Sequence, residues 1–208
     1  GKYKKIAEQA YQFFEFEGKV YYYNSDNKIY CYDIKTENTA VVFSVGTNIL
    51  WIGLYNKNIV CARRKGIFNN ALELYTLDGK KMRTYSPKSR ELGRIVQIGR
   101  FLVFLEDIRI KVYDLENETS HYLICEDGLS DSYMVSAQDN LYISIGRYVI
   151  EGNYNTKKAD SRWNGLWKIS LKDMEMDKWK LTKISTHPYS KFYCVGNRLF
   201  DEKFVLIE

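Results

Sequence analysis

A short pattern recurs five times along this 208-residue chain and constrains its fold more than any other feature. Each copy is a turn of Gly or polar residues followed by a short apolar run. The first apolar residues of the five runs are Val20, Ile59, Leu102, Leu141 and Leu199. Their spacing is close to 40 residues, apart from a longer last step, and a period of about 40–45 residues is typical of folds in which each repeat is one four-stranded sheet.

A second pattern follows the first within each repeat. It is a strand-like run that ends in an aliphatic residue and a turn, as in KIYCYDIKT and RIKVYDLEN. The aligned aliphatic residues are Ile34, Leu77, Leu115, Leu171 and Ile207. Two patterns in register predict a meander of four antiparallel strands per repeat. The composition agrees, because 18 Tyr and 10 Phe with only 2 Pro suit strands better than helices.

The two ends of the chain suggest how the repeats are completed. The fifth repeat ends at FVLIE with three strands, whereas KYKKIAEQ precedes the first repeat and resembles the outer strand WKLTKIS. We therefore predict an all-β, five-bladed β-propeller with four antiparallel strands per blade, its N-terminal strand closing the last blade. Residues 1–208 would then form a single domain, expected to be a monomer. The alternative is an open stack of blades or a fragment of a larger propeller.

The amino-acid sequences of the repeats resemble those of known proteins. KIYCYDIKT and RIKVYDLEN resemble the repeats of uncharacterised bacterial propellers related to the YWTD propellers of lipoprotein receptors and to quinoprotein-like propellers. The Tyr-Trp-Thr-Asp tetrad is absent, so neither the receptor function nor a quinone cofactor carries over. The resemblance implies an extracytoplasmic binding or scaffolding role. A cytoplasmic location would also be compatible with four free cysteines.

The charge of the chain and the motifs that it lacks argue against several classes of function. The net charge is +5, but 31 basic and 26 acidic residues form no long run of one sign, so we expect no nucleic-acid partner. No apolar stretch is long enough to span a membrane. No Gly-rich phosphate loop opens a helix, so we expect no cofactor. The four widely spaced cysteines, Cys31, Cys61, Cys125 and Cys194, are predicted to be buried free thiols.

We expect the functional residues in the long loops, because binding residues are concentrated in loops that a rigid scaffold positions. Two connections are long, ARRKGIFNNA and GRYVIEGNYNTKKADSRWNG, and both mix basic with aromatic side chains. Guanidinium groups bind carboxylates or phosphates, and aromatic faces stack on sugar rings. The predicted ligand-binding residues are Arg63, Arg64, Phe68, Arg147, Tyr154, Arg162 and Trp163. The alternative is that both loops are solvated connections with a hydrophobic plug.

These observations favour a non-enzymatic module that presents one loop-decorated face to a protein or glycan ligand. The alternative is a glycan-processing enzyme resembling a glycoside hydrolase, which needs paired carboxylates. Asp107, Asp131 and Asp201 are the candidates for such a pair. EDGLSDS could bind Ca²⁺ through Asp127 and Asp131 but lacks the alternate-position ligands of a calcium loop. We therefore assign no catalytic residue and no metal ligand.

Overall fold

The computed structural model describes residues 5–66, 69–85, 87, 92–106, 109–124, 132–146, 163–189, 191–195 and 198–207. Within these ranges the chain forms eighteen β-strands and one short helix. The chain divides into two compact units, Gly1–Leu92 and Gly93–Glu208. That residues 1–208 form a single domain stays a prediction.

The first unit contains two four-stranded antiparallel sheets, each a simple meander in chain order. Sheet 1 consists of β1 (Gln12–Phe16), β2 (Lys19–Tyr23), β3 (Lys28–Asp33) and β4 (Thr39–Ser44). Sheet 2 consists of β5 (Ile49–Tyr55), β6 (Asn58–Gly66), β7 (Asn69–Tyr75) and β8 (Lys81–Tyr85). Their shared core contains the buried side chains of Tyr21, Tyr23, Ile29, Ile49, Ile52, Ile59, Cys61 and Tyr75.

The second unit contains two further four-stranded meanders and one pair of strands. Sheet 3 consists of β9 (Gly93–Ile98), β10 (Phe101–Glu106), β11 (Arg109–Asp114) and β12 (Ser120–Ile124). Sheet 4 consists of β13 (Ser132–Ala137), β14 (Asn140–Ile145), β15 (Gly165–Ser170) and β16 (Thr182–Ser185), with helix α1 (Leu171–Glu175) between its last two strands. Sheet 5 has only β17 (Phe192–Val195) and β18 (Arg198–Asp201).

Four of the five recurring turns lie in the described residues, and each joins the first and second strands of a sheet. Glu17 and Gly18 both have positive φ, 51° and 74°. So do the residue pairs at 56–57 and 138–139, each of which also joins two adjacent strands. Two consecutive positive φ angles define the type I′ turn, whose twist matches that of the strands it joins.

The recurring Tyr-Asp pair has a physical cause in the turn after the third strand. The Asp33 carboxylate accepts hydrogen bonds from the backbone N–H groups of Lys35 and Thr36 at 2.9 and 2.8 Å. Asp114 does the same for the N–H groups of Glu116 and Asn117. The repeated aspartate therefore caps a turn by satisfying backbone donors.

The prediction of five complete blades is wrong, because the described residues form four four-stranded sheets and one two-stranded sheet. After β18 the chain turns back, and the Asp201 carboxylate accepts hydrogen bonds from the N–H groups of Lys203 and Val205. Leu206 then forms an isolated antiparallel bridge with Phe200, flanked by backbone hydrogen bonds that join Asp201 to Val205 and Ile207 to Leu199. In its described residues, FVLIE therefore supplies a bridge and not a full third strand.

The predicted closure of the last blade by the N-terminal segment is also wrong. Residues 5–11 form no strand. Ile6, Ala7 and Ala10 instead line an apolar pocket together with Phe13, Val20 and Tyr22 of sheet 1. The apolar residues that suggested a strand are thus used to pack on the adjacent sheet.

Candidate functional site: a basic cluster on sheet 2

Three of the seven predicted ligand-binding residues lie in the described part of the chain. Arg63 and Arg64 are on β6 in the first unit, and Trp163 lies two residues before the start of β15 in the second unit. Phe68, Arg147, Tyr154 and Arg162 lie outside the described residues. Of the predicted ligand-binding residues, the structure therefore shows Arg63 and Arg64 of the first loop and Trp163 of the second.

Trp163 packs within its own unit. Its ring lies 5.0 Å from the Trp167 ring, and its backbone carbonyl accepts a 2.8 Å hydrogen bond from the Trp167 indole N–H. The side chain is partly buried against the core shared by sheets 3 and 4. These contacts are those of a residue that anchors the start of β15.

Arg63 belongs to a cluster built around the carboxylate of Glu73. The pairing of β6 with β7 places Cys61 opposite Glu73 and Arg63 opposite Ala71. Because side chains alternate across a strand, Cys61, Arg63, Glu73 and Tyr75 share one face of the sheet. Glu73 is 0% exposed on this face. A buried carboxylate is costly unless it is paired and hydrogen-bonded.

Every partner that a buried carboxylate needs is present. Arg63 donates from Nε to Oε2 at 2.5 Å and from Nη2 to Oε1 at 3.0 Å. Tyr75 donates its hydroxyl to Oε2 at 2.7 Å, and the Lys81 ammonium donates to Oε1 at 2.5 Å. The Lys65 ammonium lies 3.6 Å from Oε1. Arg63 also donates to the Thr47 hydroxyl at 2.9 Å, which ties β6 to the segment before β5.

These contacts determine the charge states. Burial alone would raise the pKa of Glu73, but hydrogen bonds from Arg63, Lys81 and Tyr75 outweigh it and lower the pKa to about 2. The hydrogen bond to Glu73 raises the pKa of Arg63. Burial, followed by the hydrogen bond to Glu73, raises the pKa of Tyr75. At neutral pH the cluster therefore holds one carboxylate and several cations.

The exposed side of the cluster opens onto a pocket of about 450 Å³. Thr47, Asn48, Arg64, Lys65 and Gly66 line it, and we call these five residues the basic pocket. The register of β6 and β7 shifts between Arg64 and Gly66, so Lys65 is the extra residue of a β-bulge. Bulges re-aim side chains and are common beside functional sites. Arg64 and Lys65 are both exposed.

Of the three carboxylates considered for an enzyme, Asp201 alone lies in the described part of the chain. Asp201 uses its carboxylate to cap the turn after β18. Asp107, Asp127 and Asp131 lie outside the described residues. Within the described ranges, no group of three or more His, Cys, Asp or Glu side chains could hold a metal ion. Nor does that part of the chain contain a helix long and apolar enough to cross a membrane.

The described thiols differ in burial, contrary to the uniform burial predicted. Cys61 is fully buried in the core of the first unit, whereas Cys31 and Cys194 are half-buried. Burial, together with the negative charge of Glu73, raises the pKa of the Cys61 thiol to about 12. Cys125 lies outside the described residues.

No family model and no curated protein matches the sequence. Solved structures do match. The extracellular domain of BT4673 from B. thetaiotaomicron is 13% identical, with a TM-score of 0.57 over 93% of this chain and 25% of that chain. The computationally designed Ika8 protein is 11% identical, with a TM-score of 0.52 over 94% of this chain and 59% of that chain.

Together with the repeated four-stranded meander, these two likenesses decide the fold class. The fold is a β-propeller. At these identities the comparison shows the fold alone. The chain spans about three fifths of the Ika8 chain and a quarter of the BT4673 chain. No family match supports the narrower resemblance to bacterial propellers with YWTD-like or quinoprotein-like repeats.

Proposed function

We propose that this β-propeller is a non-enzymatic binding module whose basic pocket receives a carboxylate or phosphate group carried by a protein or glycan ligand. The observation that carries the proposal is the excess of positive charge on β6 and β8. Arg63, Lys65 and Lys81 all lie within 4 Å of the single carboxylate of Glu73, and Arg64, the next residue along β6, contributes a further cation to the pocket. An anionic group from outside would complement this excess.

The cationic side chains of β6 differ in their contacts, and this difference supports ligand binding at Arg64 and Lys65. Arg63 is committed to Glu73 by two hydrogen bonds, and Glu73 stays ionised at neutral pH because its pKa is about 2. Arg63 therefore serves as a rigid base for β6. Arg64 and Lys65 line the open pocket, where their donors can form charge-assisted hydrogen bonds, roughly twice as strong as neutral ones.

Two polar side chains give the pocket further donors. The Thr47 hydroxyl and the Asn48 amide line it beside the two cations. A hydroxyl and an amide can donate to the remaining oxygens of a carboxylate or phosphate, or bond to neighbouring sugar hydroxyls. The predicted contributions of Phe68, Arg147, Tyr154, Arg162 and Trp163 remain part of the proposal as further ligand contacts.

The proposal is tested by an array that presents acidic ligands beside neutral counterparts. The protein arm carries an oligoglutamate peptide, its phosphoserine-containing analogue and an oligoglutamine peptide. The glycan arm carries oligogalacturonate and its methyl ester. We expect retention on an acidic member of one arm and loss on its neutral counterpart, and the retaining arm identifies the source of the anion. Equal retention of acidic and neutral members, or retention of none, would overturn the proposal.

A further inference from the structure

A second pocket lies in the second unit. It has a volume of about 390 Å³ and is lined by Arg94, Ile95, Val96, Tyr133, Met134 and Lys191. Three of these come from β9, two from β13 and one directly precedes β17. The first strands of sheets 3, 4 and 5 therefore contribute to one cavity, whose size falls within the range of small-molecule sites.

The backbone at Arg94 is unusual. Its φ is +44°, and among the described residues it is the one non-glycine residue with positive φ that lies inside a strand. Every other such residue lies in a turn or connection. The register of β9 with β10 shifts here, because Arg94 and Ile95 together stand opposite Phe104. The strand thus accepts a strained conformation at a bulge, a feature that clusters at functional sites.

The strained conformation brings Arg94 to the neighbouring sheet. One guanidinium nitrogen, Nη1, donates a hydrogen bond to the backbone carbonyl of Ser132 at the start of β13. This bond fixes the guanidinium at the pocket, and a guanidinium has five N–H donors in all. The Ser132 hydroxyl is fully buried and has no hydrogen-bond partner within the described residues.

We propose that this pocket binds a small organic anion, a carboxylate attached to an apolar body. Arg94 and Lys191 supply the two positive charges for the carboxylate. The side chains of Ile95, Val96, Tyr133 and Met134 supply an apolar and aromatic wall for the body. None of the described residues that line the cavity is acidic, so an anionic ligand would meet two positive charges there.

Arg94→Gly provides a sharp test, because Gly adopts positive φ without strain. The variant is expected to stay folded, because the relieved strain at positive φ offsets part of the cost of losing the hydrogen bond to Ser132, yet it lacks the guanidinium. Lys57→Gly is the matched control, because Lys57 also has positive φ, 59°, but lies in the β5–β6 turn. Lys191→Gln is a second pocket variant on an exposed side chain.

The probes are phenylacetate, its neutral counterpart phenylacetamide, and acetate, which lacks the apolar body. Binding is measured by titration calorimetry on the whole chain, and the site is located by NMR shift changes in β9 and β13. We expect phenylacetate to bind better than both other probes. Arg94→Gly and Lys191→Gln should each weaken it, Arg94→Gly by about tenfold or more, while Lys57→Gly leaves it unchanged.

Two outcomes would overturn this inference. One is the absence of phenylacetate binding at millimolar concentration. The other is binding that Arg94→Gly and Lys57→Gly affect equally. Replacing Arg64 and Lys65 should leave phenylacetate binding intact, so failure at this pocket and failure of the basic pocket are separately visible.

Discussion

Arg63 holds Glu73 through two hydrogen bonds, from Nε to Oε2 at 2.5 Å and from Nη2 to Oε1 at 3.0 Å. This bidentate pair joins the two central strands of sheet 2, β6 and β7. Because Glu73 is completely buried, the local structure depends on this ion pair. Removing Glu73 would leave Arg63 and Lys81 without their shared carboxylate, and removing Arg63 would take two hydrogen bonds from a buried charge.

Replacing Glu73 by Gln should therefore destabilise the protein by about 2–4 kcal/mol. The Gln side chain has one acceptor oxygen instead of two and carries no charge. Arg63 and Lys81 would therefore lose their ionic partner. Chemical denaturation followed by circular dichroism gives the free energy of unfolding. Glu175→Gln, at an exposed helical residue, is the matched control. If the two variants lost equal stability, Glu73 would not have the role described.

Stability should fall as the pH is lowered from about 4.5 towards 2. The pKa of Glu73 is 4.5 without folded contacts and about 2 in the folded protein, so the ionised form stabilises the fold above pH 4.5. A depressed pKa means that this contribution disappears as the pH falls through the folded value, and its size is about 3 kcal/mol. The free energy of unfolding, measured against pH, should fall less steeply in Glu73→Gln than in the parent. Parallel curves would contradict this linkage.

Much of the fold follows from the sequence. The repeat near 40 residues predicts the meanders correctly, because type I′ turns and capping aspartates such as Asp33 and Asp114 impose local geometry that side-chain type reveals. The end of the chain does not follow this rule. FVLIE has the composition of a strand, but after the turn capped by Asp201 its pairing with β18 is limited to one antiparallel bridge and its flanking backbone hydrogen bonds.

The candidate site could be predicted only in part. The run of Arg63, Arg64 and Lys65 stands out in the sequence, whereas Glu73 and Lys81 do not. Their roles depend on the register of β6, β7 and β8. The one available signal was Glu73 itself, a charged residue within the otherwise apolar run ALELY. Arg94 gave no signal, because a bulge inside a strand depends on pairing rather than on residue type.

Deleting residues 1–9 should cost only about 1–2 kcal/mol. The segment contributes apolar contacts from Ile6 and Ala7 to the pocket on sheet 1, but no strand pairing in its described residues. Thermal unfolding and light scattering of the truncated chain give its stability and its tendency to aggregate. Extensive aggregation at ordinary temperature would mean that the segment protects a strand edge after all.

The thiols should label at different rates in the native protein. Cys61 is fully buried with a pKa of about 12, so it has little thiolate and no access to reagent. The half-buried Cys31 and Cys194 should react faster. Timed alkylation followed by peptide mass spectrometry resolves each residue separately. Labelling of Cys61 at the rate of the other two would show that the core of the first unit opens readily.

The basic pocket is tested most directly by one comparison of affinities. Fluorescence anisotropy with the acidic peptide or oligogalacturonate retained on the array gives Kd for the parent, for Arg64→Gln/Lys65→Gln and for Lys178→Gln/Lys180→Gln. Both double variants remove two positive charges from exposed side chains, but only the first alters the pocket. We predict that the pocket variant binds at least about tenfold more weakly while the control binds like the parent. Equal affinities for the two variants would contradict a ligand site on β6.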